Sequence, residues 1–458
     1  MMQAGKFRVA ICGGGIGGLV HACALAKFPS ISVCVYERAS EVSTFGAGIG
    51  MWPRTWEVLR KLGLAEELEK SSLCFPAQDE SLAFSFRKSN QLKGFEFLNM
   101  RGSGSLTTFH RGDFQRAIFA QLPSSPNCQM YYSKRLRSYT RECDGTINLH
   151  FDDGSSHVCD VLVGADGIKS ITRACMLREK ASEARIKGRP PQEINTLENC
   201  IHPEFSGYVV YRSVVPREKL VGNASDTLLP KSPVLYVGKD SFILAYPIAL
   251  GQMMNLVLFD FKKESRGSLY PGRWSEVVDS DQVHTVSSFE KWEPQAQAWL
   301  KCMHNPTKWA VHTVKPLPTF ISRNVVLLGD AAHAFTPHQG TGAGQAIEDA
   351  YVLAELLGHP HTTRETIPRA LKIYDSIRRP WTQTVAEKAR ANGSYLTLDF
   401  EGFDFEGASE DAIKTQLGRM SEIIIDDWRW SWNSSVQESL ENAIRQLERE
   451  AWLDVSEE

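Results

Sequence analysis

The chain has 458 residues, with 51 Lys and Arg against 54 Asp and Glu and a formal net charge of -3. That length exceeds one simple core and predicts two or three domains. The near balance of charge, with no basic block, speaks against a nucleic-acid partner. No apolar run reaches the ~18 residues of a membrane span, so none is expected.

Val9 to Leu25 is apolar enough to suggest a leader peptide, but Gly13, Gly14, Gly15, Gly17 and Gly18 interrupt it. The pattern is strand, turn and helix instead. Phe7–Ile11 reads as a strand, the stretch from about Gly17 to Phe28 as a helix, and Ile31–Tyr36 as a second strand closed by Glu37. This is a βαβ unit. Pro53 opens a helix that Leu62 ends and Gly63 stops. Residues 71–110 carry no clear period, and 113–122 look helical. Met130–Tyr139 and Thr146–Phe151 read as paired strands, with a turn at Asp152-Asp153-Gly154. Val158–Val163 is a further buried strand.

Residues 178–203, polar and holding Gly188, Pro190 and Pro191, read as a surface loop. Residues 207–215, 234–238, 242–248 and 253–261 read as strands of a largely antiparallel sheet, and 274–304 as mostly helical. Asn324–Leu328 is again a buried strand. A turn with Gly340, Gly342 and Gly344 then leads into a helix to Leu357. One α/β domain is thus interrupted by a β-rich insertion. From about 400 the chain reads as helical, with Trp428, Trp430 and Trp432. Ser435 and Glu438 suggest a capping box for a last helix with Leu440, Ile444, Leu447 and Ala451 on its apolar face. The ten cysteines form no CxxC pair and no metal-ligand spacing. Cys12, Cys23 and Cys34 read as buried hydrophobes, and the whole as a cytoplasmic protein with reduced thiols.

Gly13, Gly15 and Gly18 form a G-x-G-x-x-G between a strand and a helix. By itself this is a plain glycine turn, and Glu37 a surface carboxylate. In a βαβ unit the glycines let a pyrophosphate approach the backbone, and the helix N-terminus offers N–H donors. Glu37 can then accept from the hydroxyls of an adenosine ribose. Two further buried strands end in acidic turns, Gly164-Ala165-Asp166-Gly167 and Gly329-Asp330-Ala331-Ala332-His333. Either Asp alone reads as a turn or cap residue.

Together, in this order and spacing, the three segments resemble the group A flavoprotein hydroxylases, the family of 4-hydroxybenzoate and salicylate hydroxylases. There is further similarity to the fungal phenol-dearomatising monooxygenases. The resemblance runs from about residue 7 to about 395. It implies an α/β fold in which a Rossmann-like FAD-binding domain (1–70, 106–180 and 310–398) carries an inserted, largely antiparallel substrate domain (71–105 and 181–309). A helical C-terminal region (399–458) follows. It implies FAD as cofactor, NADPH or NADH and O2 as co-substrates, and a phenolic substrate hydroxylated through a flavin C4a-hydroperoxide. Decarboxylation or dearomatisation are open as outcomes.

Residue by residue, the resemblance implies that Asp330, after Gly329, bonds the ribityl chain. Asp166 and Gly167 would lie near the pyrophosphate, and Arg111 beside the flavin. Pro337 would lie against the isoalloxazine ring, with Gly342 opening the helix aimed at it. Arg212 and Tyr246 would hold a phenolate, and His338 would orient substrate or accept a proton. Tyr246 stands where a bacterial salicylate hydroxylase has Phe. An FAD-dependent dehydrogenase and a non-catalytic FAD-binding protein are the rival readings. The C-terminal tryptophans suit packing within a monomer or the contact of a homodimer.

Overall fold

The computed structural model describes residues 6–41, 48–70, 80–104, 106–122, 126–220, 230, 232–285, 289–405 and 407–457. The N-terminal unit folds as β1 (Phe7–Cys12), α1 (Ile16–Ala26) and β2 (Ile31–Tyr36). A short β3 (Gly48–Met51) leads to α2 (Pro53–Leu62), which Gly63 ends in the left-handed conformation at φ +75°. There follow α3 (Ala65–Glu69), β4 (Glu80–Lys88), β5 (Phe95–Ser103), β6 (Thr107–His110) and α4 (Arg111–Phe119).

β7 (Cys128–Tyr131) and β8 (Leu136–Arg141) replace the single strand expected over 130–139. Ser133, at φ +54°, breaks it. β7 joins β2 in parallel, while β8 pairs with β9 (Ile147–Phe151). The turn at 152–154 forms as expected, with Gly154 at φ +81° donating to the Phe151 carbonyl. The strand expected over 158–163 is also two, β10 (Ser156–Cys159) and β11 (Val161–Gly164). Between them Asp160 accepts from the Arg8 N–H (2.8 Å) and guanidinium (3.0 Å).

The expected loop at 178–203 is instead two helices, α5 (Ile171–Ile186) and α6 (Pro191–Asn199). Pro191 starts α6 at its first turn, where a missing N–H costs nothing. The buried face is narrow (Ala181, Ala184, Ile194 and Leu197), so the sequence looked polar.

The second sheet region brings β12 (Glu204–Pro216), β13 (Val234–Gly238), β14 (Ser241–Ile248) and β15 (Met253–Phe261). Residues 274–304 are less helical than expected: β16 (Ser275–Val277), α7 (Asp281–Thr285) and α8 (Pro294–Lys301) share them. After β17 (Thr307–Thr313), β18 (Ile321–Ser322) and β19 (Val325–Leu327) come α9 (Asp330–His333), α10 (Gly342–Gly358) and α11 (Ile367–Leu396). The C-terminus adds α12 (Glu410–Trp428), α13 (Trp430–Asn433) and α14 (Gln437–Glu457). The capping box is not formed as read: Ser435 Oγ accepts from the Gln437 N–H. Leu440 and Leu447 are buried as expected.

The first sheet runs β18-β19-β11-β1-β2-β7 and is parallel apart from edge strand β18. Helix α1 covers one face, and the three-stranded sheet β10-β9-β8 with α5 covers the other, so its inner strands are near-continuous apolar runs. The second sheet runs β16-β17-β12-β15-β14-β13-β4-β5 and is antiparallel except for β4 beside β13. One face packs on Trp292, Ala296 and Trp299. The other, with Tyr208, Val210, Phe242, Val257 and Phe259, faces Trp52 and the C-terminal Leu417, Met420 and Trp428. The β3–β6 ribbon ties the sheets together, Thr108 Oγ1 donating to the Pro247 carbonyl at 3.0 Å. Among the described residues no helix is long and apolar enough to cross a membrane, and the nine described cysteines are free thiols.

Candidate active site

The carboxyl ends of β1, β11 and β19 converge, the place where open parallel sheets bind ligands. Gly13 turns there at φ +117°, and a Cβ on it would lie 2.2 Å from the Ala165 carbonyl oxygen. A Cβ on Gly18 would lie 2.0 Å from the Gly13 oxygen, so these two glycines permit the strand and helix to close. Gly15, the N-cap of α1, meets nothing within 4 Å and fronts open space. Glu37 is already engaged: its carboxylate accepts from the N–H groups of Gly14 (2.7 Å) and Ala39 (2.8 Å). Each oxygen keeps a lone pair for a further donor.

Asp166, at the carboxyl end of β11, has its carboxylate engaged by the start of α5. Its oxygens accept from Ser170 Oγ, from the N–H groups of Ile171 and Thr172 (both 2.9 Å) and from Thr172 Oγ1 (3.0 Å). It therefore caps α5, and Gly167, at φ +73° with open space beside it, turns the chain. Arg173, which the sequence reading missed, is fully buried. Its guanidinium donates to the carbonyls of Ile168 (2.6 Å), Ala331 (2.8 Å) and Ile201 (3.3 Å). It thus binds the two acidic turns together. Burial lowers it to about 10, which still leaves it charged at neutral pH.

Gly329 turns at φ +59° and α9 begins at Asp330, which is exposed, as a group meant for a ligand must be. Behind it lies a second feature the sequence reading missed. Asp349 accepts from the Gly329 N–H (3.0 Å), His333 Nε2 (2.6 Å) and Arg378 Nε (2.7 Å). Arg378 also reaches Glu348 (2.9 Å), and Glu348 accepts from Arg54 (2.9 and 3.1 Å). All five side chains are buried. Burial would raise Asp349, but His333 and Arg378 outweigh it and hold it near 2. His333, buried and bonded to Asp349, is structural.

Pro337 opens a single 3-10 turn, Pro337–Gln339, closed by Gly340 at φ +62°. Pro337 and Gly340 are exposed, while His338 and Gln339 are buried. α10 then starts without a side-chain cap, leaving N–H donors at Gly342 free for a ligand. A Cβ at Gly340 or Gly342 would meet nothing within 4 Å. His338 is packed among aromatic rings. Its ring centroid lies 4.3 Å from that of Tyr208, 5.5 Å from Phe259 and 5.7 Å from Phe242, and burial pushes it down to about 3. It is a neutral imidazole in an aromatic box.

Arg212 and Tyr246 share one face of the second sheet. Arg212 lies opposite Val257 and Tyr246 opposite Asn255, two residues along the same strand. Side chains two apart on a strand point the same way. Both are partly buried, and each feels the other's charge. Burial pushes Tyr246 up to about 12, against the pull of Arg212 and of the neighbouring Asn255 amide. Burial lowers Arg212, as does Arg111, the exposed first residue of α4. Gly48 completes the corner: a Cβ there would fall 2.2 Å from the Tyr246 hydroxyl, and its N–H donates to Asn255 Oδ1 at 3.3 Å. Asn255 and Gly48 carried no local sequence signal, because strand register alone joins them to Tyr246.

The residues present fit a flavin dinucleotide. Gly15, Gly340 and Gly342 front open space around the uncapped N-termini of α1 and α10, Gly167 fronts open space at its own turn, and Thr336 Oγ1, Gln339 Oε1 and Thr341 Oγ1 are buried with no hydrogen-bond partner. Residues 6–189 and 303–389 match the FAD binding domain family. The chain is 35% identical to the FAD-dependent monooxygenase str9 of Strobilurus tenacellus, over 93% of this chain and 95% of that protein. It is 31% identical to a salicylate hydroxylase of Pseudomonas putida, over 96% and 95%. A solved salicylate hydroxylase substrate complex superposes with a TM-score of 0.77 at 28% identity, covering 95% of this chain and 98% of that one. Glycine cradle, acidic turns and whole-length similarity agree, and the chain belongs to the FAD-dependent aromatic monooxygenases of the FAD binding domain family.

Proposed function

We propose that the chain hydroxylates a phenolic ring, using NADPH or NADH and O2, with Arg212 and Tyr246 holding the phenol oxygen. The observation that carries this is the pairing of a partly buried cation with a tyrosine hydroxyl on one sheet face, beside Arg111 and Gly48. When bound, FAD takes hydride from the nicotinamide and delivers one oxygen atom from O2.

Arg212 stabilises the phenolate, and Tyr246 donates to the same oxygen. The charge makes the ring carbons ortho and para to it electron-rich, so they accept an electrophilic oxygen. The apolar Val210, Leu244 and Val257 on the same face exclude water and favour productive transfer. His338, packed among Tyr208, Phe242 and Phe259 and lowered by burial, serves as a wall rather than as a base. Asp330 and the N-terminus of α10 hold the cofactor, and Pro337 faces its ring. The flavin-binding part is 1–70, 106–180 and 310–398, and the substrate part 71–105 and 181–309. The packing of α5 and α6 supports moving that boundary to about 203, and the pairing of β17 supports extending the substrate part to 313.

The test is NADPH and NADH oxidation by the purified holoprotein with salicylate, 4-hydroxybenzoates, alkylated resorcinols and orcinol-type aldehydes, recording O2 uptake and product mass. Salicylate is included for the similarity to salicylate hydroxylase, and the alkylated phenols because Tyr246 stands where the bacterial enzyme has Phe. Stimulated oxidation with a product heavier by one oxygen is expected. Loss of carbon dioxide marks attack at a carboxylated carbon, and a dienone marks attack at an alkylated one. Bound FAD with no stimulation by any phenol would refute the proposal and favour a dehydrogenase or a non-catalytic flavoprotein.

A further inference from the structure

The C-terminal tryptophans play no part in the chemistry above, yet one of them reaches the Pro337–Gly340 turn. Trp428, the last residue of α12, is buried, and its Nε1 donates to Asn392 Oδ1 at 2.9 Å. Asn392, fully buried on α11, donates from Nδ2 to the His338 carbonyl at 2.7 Å. The adjacent Gln339 carbonyl accepts from Trp52 Nε1 (3.2 Å), and Gln339 Nε2 donates to the Asp427 carbonyl (3.2 Å). The Asp427 carboxylate is held by Lys388 Nζ (2.8 Å) and the Tyr395 hydroxyl (2.9 Å). Lys388, Asn392 and Tyr395 are spaced by four and three residues, one face of α11. Gly393 lets that face approach, since a Cβ there would lie 2.5 Å from the His338 ring.

The relay has a direction. An indole N–H can only donate, whereas an amide side chain both donates and accepts. Trp428 therefore fixes which end of the Asn392 amide faces it, and so delivers the NH2 group to the His338 carbonyl. Pro337, one residue earlier, is on the open side of the same short turn.

We propose that Trp428 and Asn392 are positioning residues for the flavin: α12, through the Trp428–Asn392–His338 chain, sets the placement of Pro337 against the isoalloxazine ring. This rests on the reading that the turn faces that ring. The C-terminal helices are then part of the flavin site and not merely a cover for the second sheet.

The test uses the full-length holoprotein and reads the bound flavin itself, by visible circular dichroism and midpoint potential, together with FAD affinity and thermal unfolding. Trp428→Phe keeps the packed ring and removes the donor. Asn392→Ala removes the relay. Each is expected to retain FAD and to shift the flavin spectrum and potential in the same direction. Adding Trp428→Phe to Asn392→Ala should produce no further shift, because the indole acts only through the amide. Should Asn392→Ala fail to fold, Trp428→Phe alone still decides by shifting or not shifting the flavin signals.

Pro337→Ala separates the two claims. If it perturbs the flavin and the relay variants do not, the relay proposal falls and the reading of the turn stands. A flavin unaffected by Pro337→Ala would overturn the reading of the turn and the relay with it. Additive shifts in the double variant would likewise overturn the relay.

Discussion

At the ends of β1, β11 and β19 the groups offered to a ligand are backbone N–H groups, glycines and one exposed carboxylate, Asp330. On the inner face of the second sheet they are side chains, Arg212 and Tyr246, brought together by the register of β12, β15 and β14. The first region is rigid because its turns are over-determined from behind, by Arg173 and by the buried ions around Asp349. The second depends on a few side chains projecting from an otherwise apolar face. The first arrangement suits a cofactor that every turnover shares. On the proposed reading, the second would change its substrate by changing one or two residues without disturbing the sheet.

The strongest way to break this comparison is Arg378→Met. It removes the buried cation that Glu348 and Asp349 share, so it should destabilise by about 3–5 kcal/mol. Urea unfolding of the apoprotein measures this; a loss under about 1 kcal/mol would mean the network does not brace the first region. Acid probes the same brace. Asp349 is held near 2, below the ordinary 3.8, so its contribution is complete above that ordinary value and is lost as pH falls toward 2. Between those limits the unfolding midpoint should fall more steeply for the wild type than for Asp349→Asn.

Arg212→Ala probes the other region. FAD should remain bound while kcat/KM for the phenol falls about 10²–10³-fold, the usual effect of removing a donor to a stabilised oxyanion. Normal turnover in that variant would move the substrate pocket elsewhere. Asp330→Ala should show the opposite pattern, weakening FAD about tenfold as one hydrogen bond is lost. Equilibrium dialysis checks it, and full occupancy at the wild-type FAD concentration would remove Asp330 from the site. Tyr246→Phe should be the mildest, raising KM up to about tenfold with FAD affinity unchanged, because Arg212 still carries the phenolate charge.

The same contrast explains what could be read from the sequence. The βαβ unit, Glu37 and the turn before Asp330 are contiguous, so short-range spacing revealed them. The four antiparallel strands from Tyr208 to Phe261 are apolar, β-branched and aromatic runs bounded by turns, which made them visible. α5 and α6 escaped because Pro190 and Pro191 look like loop residues, although proline is at home in a first helical turn. His338 sits beside Pro337 in sequence, but the 3-10 turn sends it into the aromatic box while Pro337 stays exposed. Asn255 and Gly48 meet Tyr246 only through register, which no local pattern reports. One signal was available and unused: Glu348-Asp349 is a charged pair inside an otherwise apolar helix, and carboxylates so placed need buried cations.

The strand order β18-β19-β11-β1-β2-β7 bears on how the protein is made. β11 keeps an unpaired edge until β19, at Val325–Leu327, leaves the ribosome. β12 to β17, most of the second sheet, are synthesised in between, so the nascent flavin-binding half must wait for them with a naked apolar edge, a template for mispairing. Ribosome-stalled chains ending near residue 300 should therefore be protease-sensitive from β1 to β11 and should not bind FAD, while chains extended past α11 should become resistant. A resistant early chain would show that the first sheet closes without its last strands.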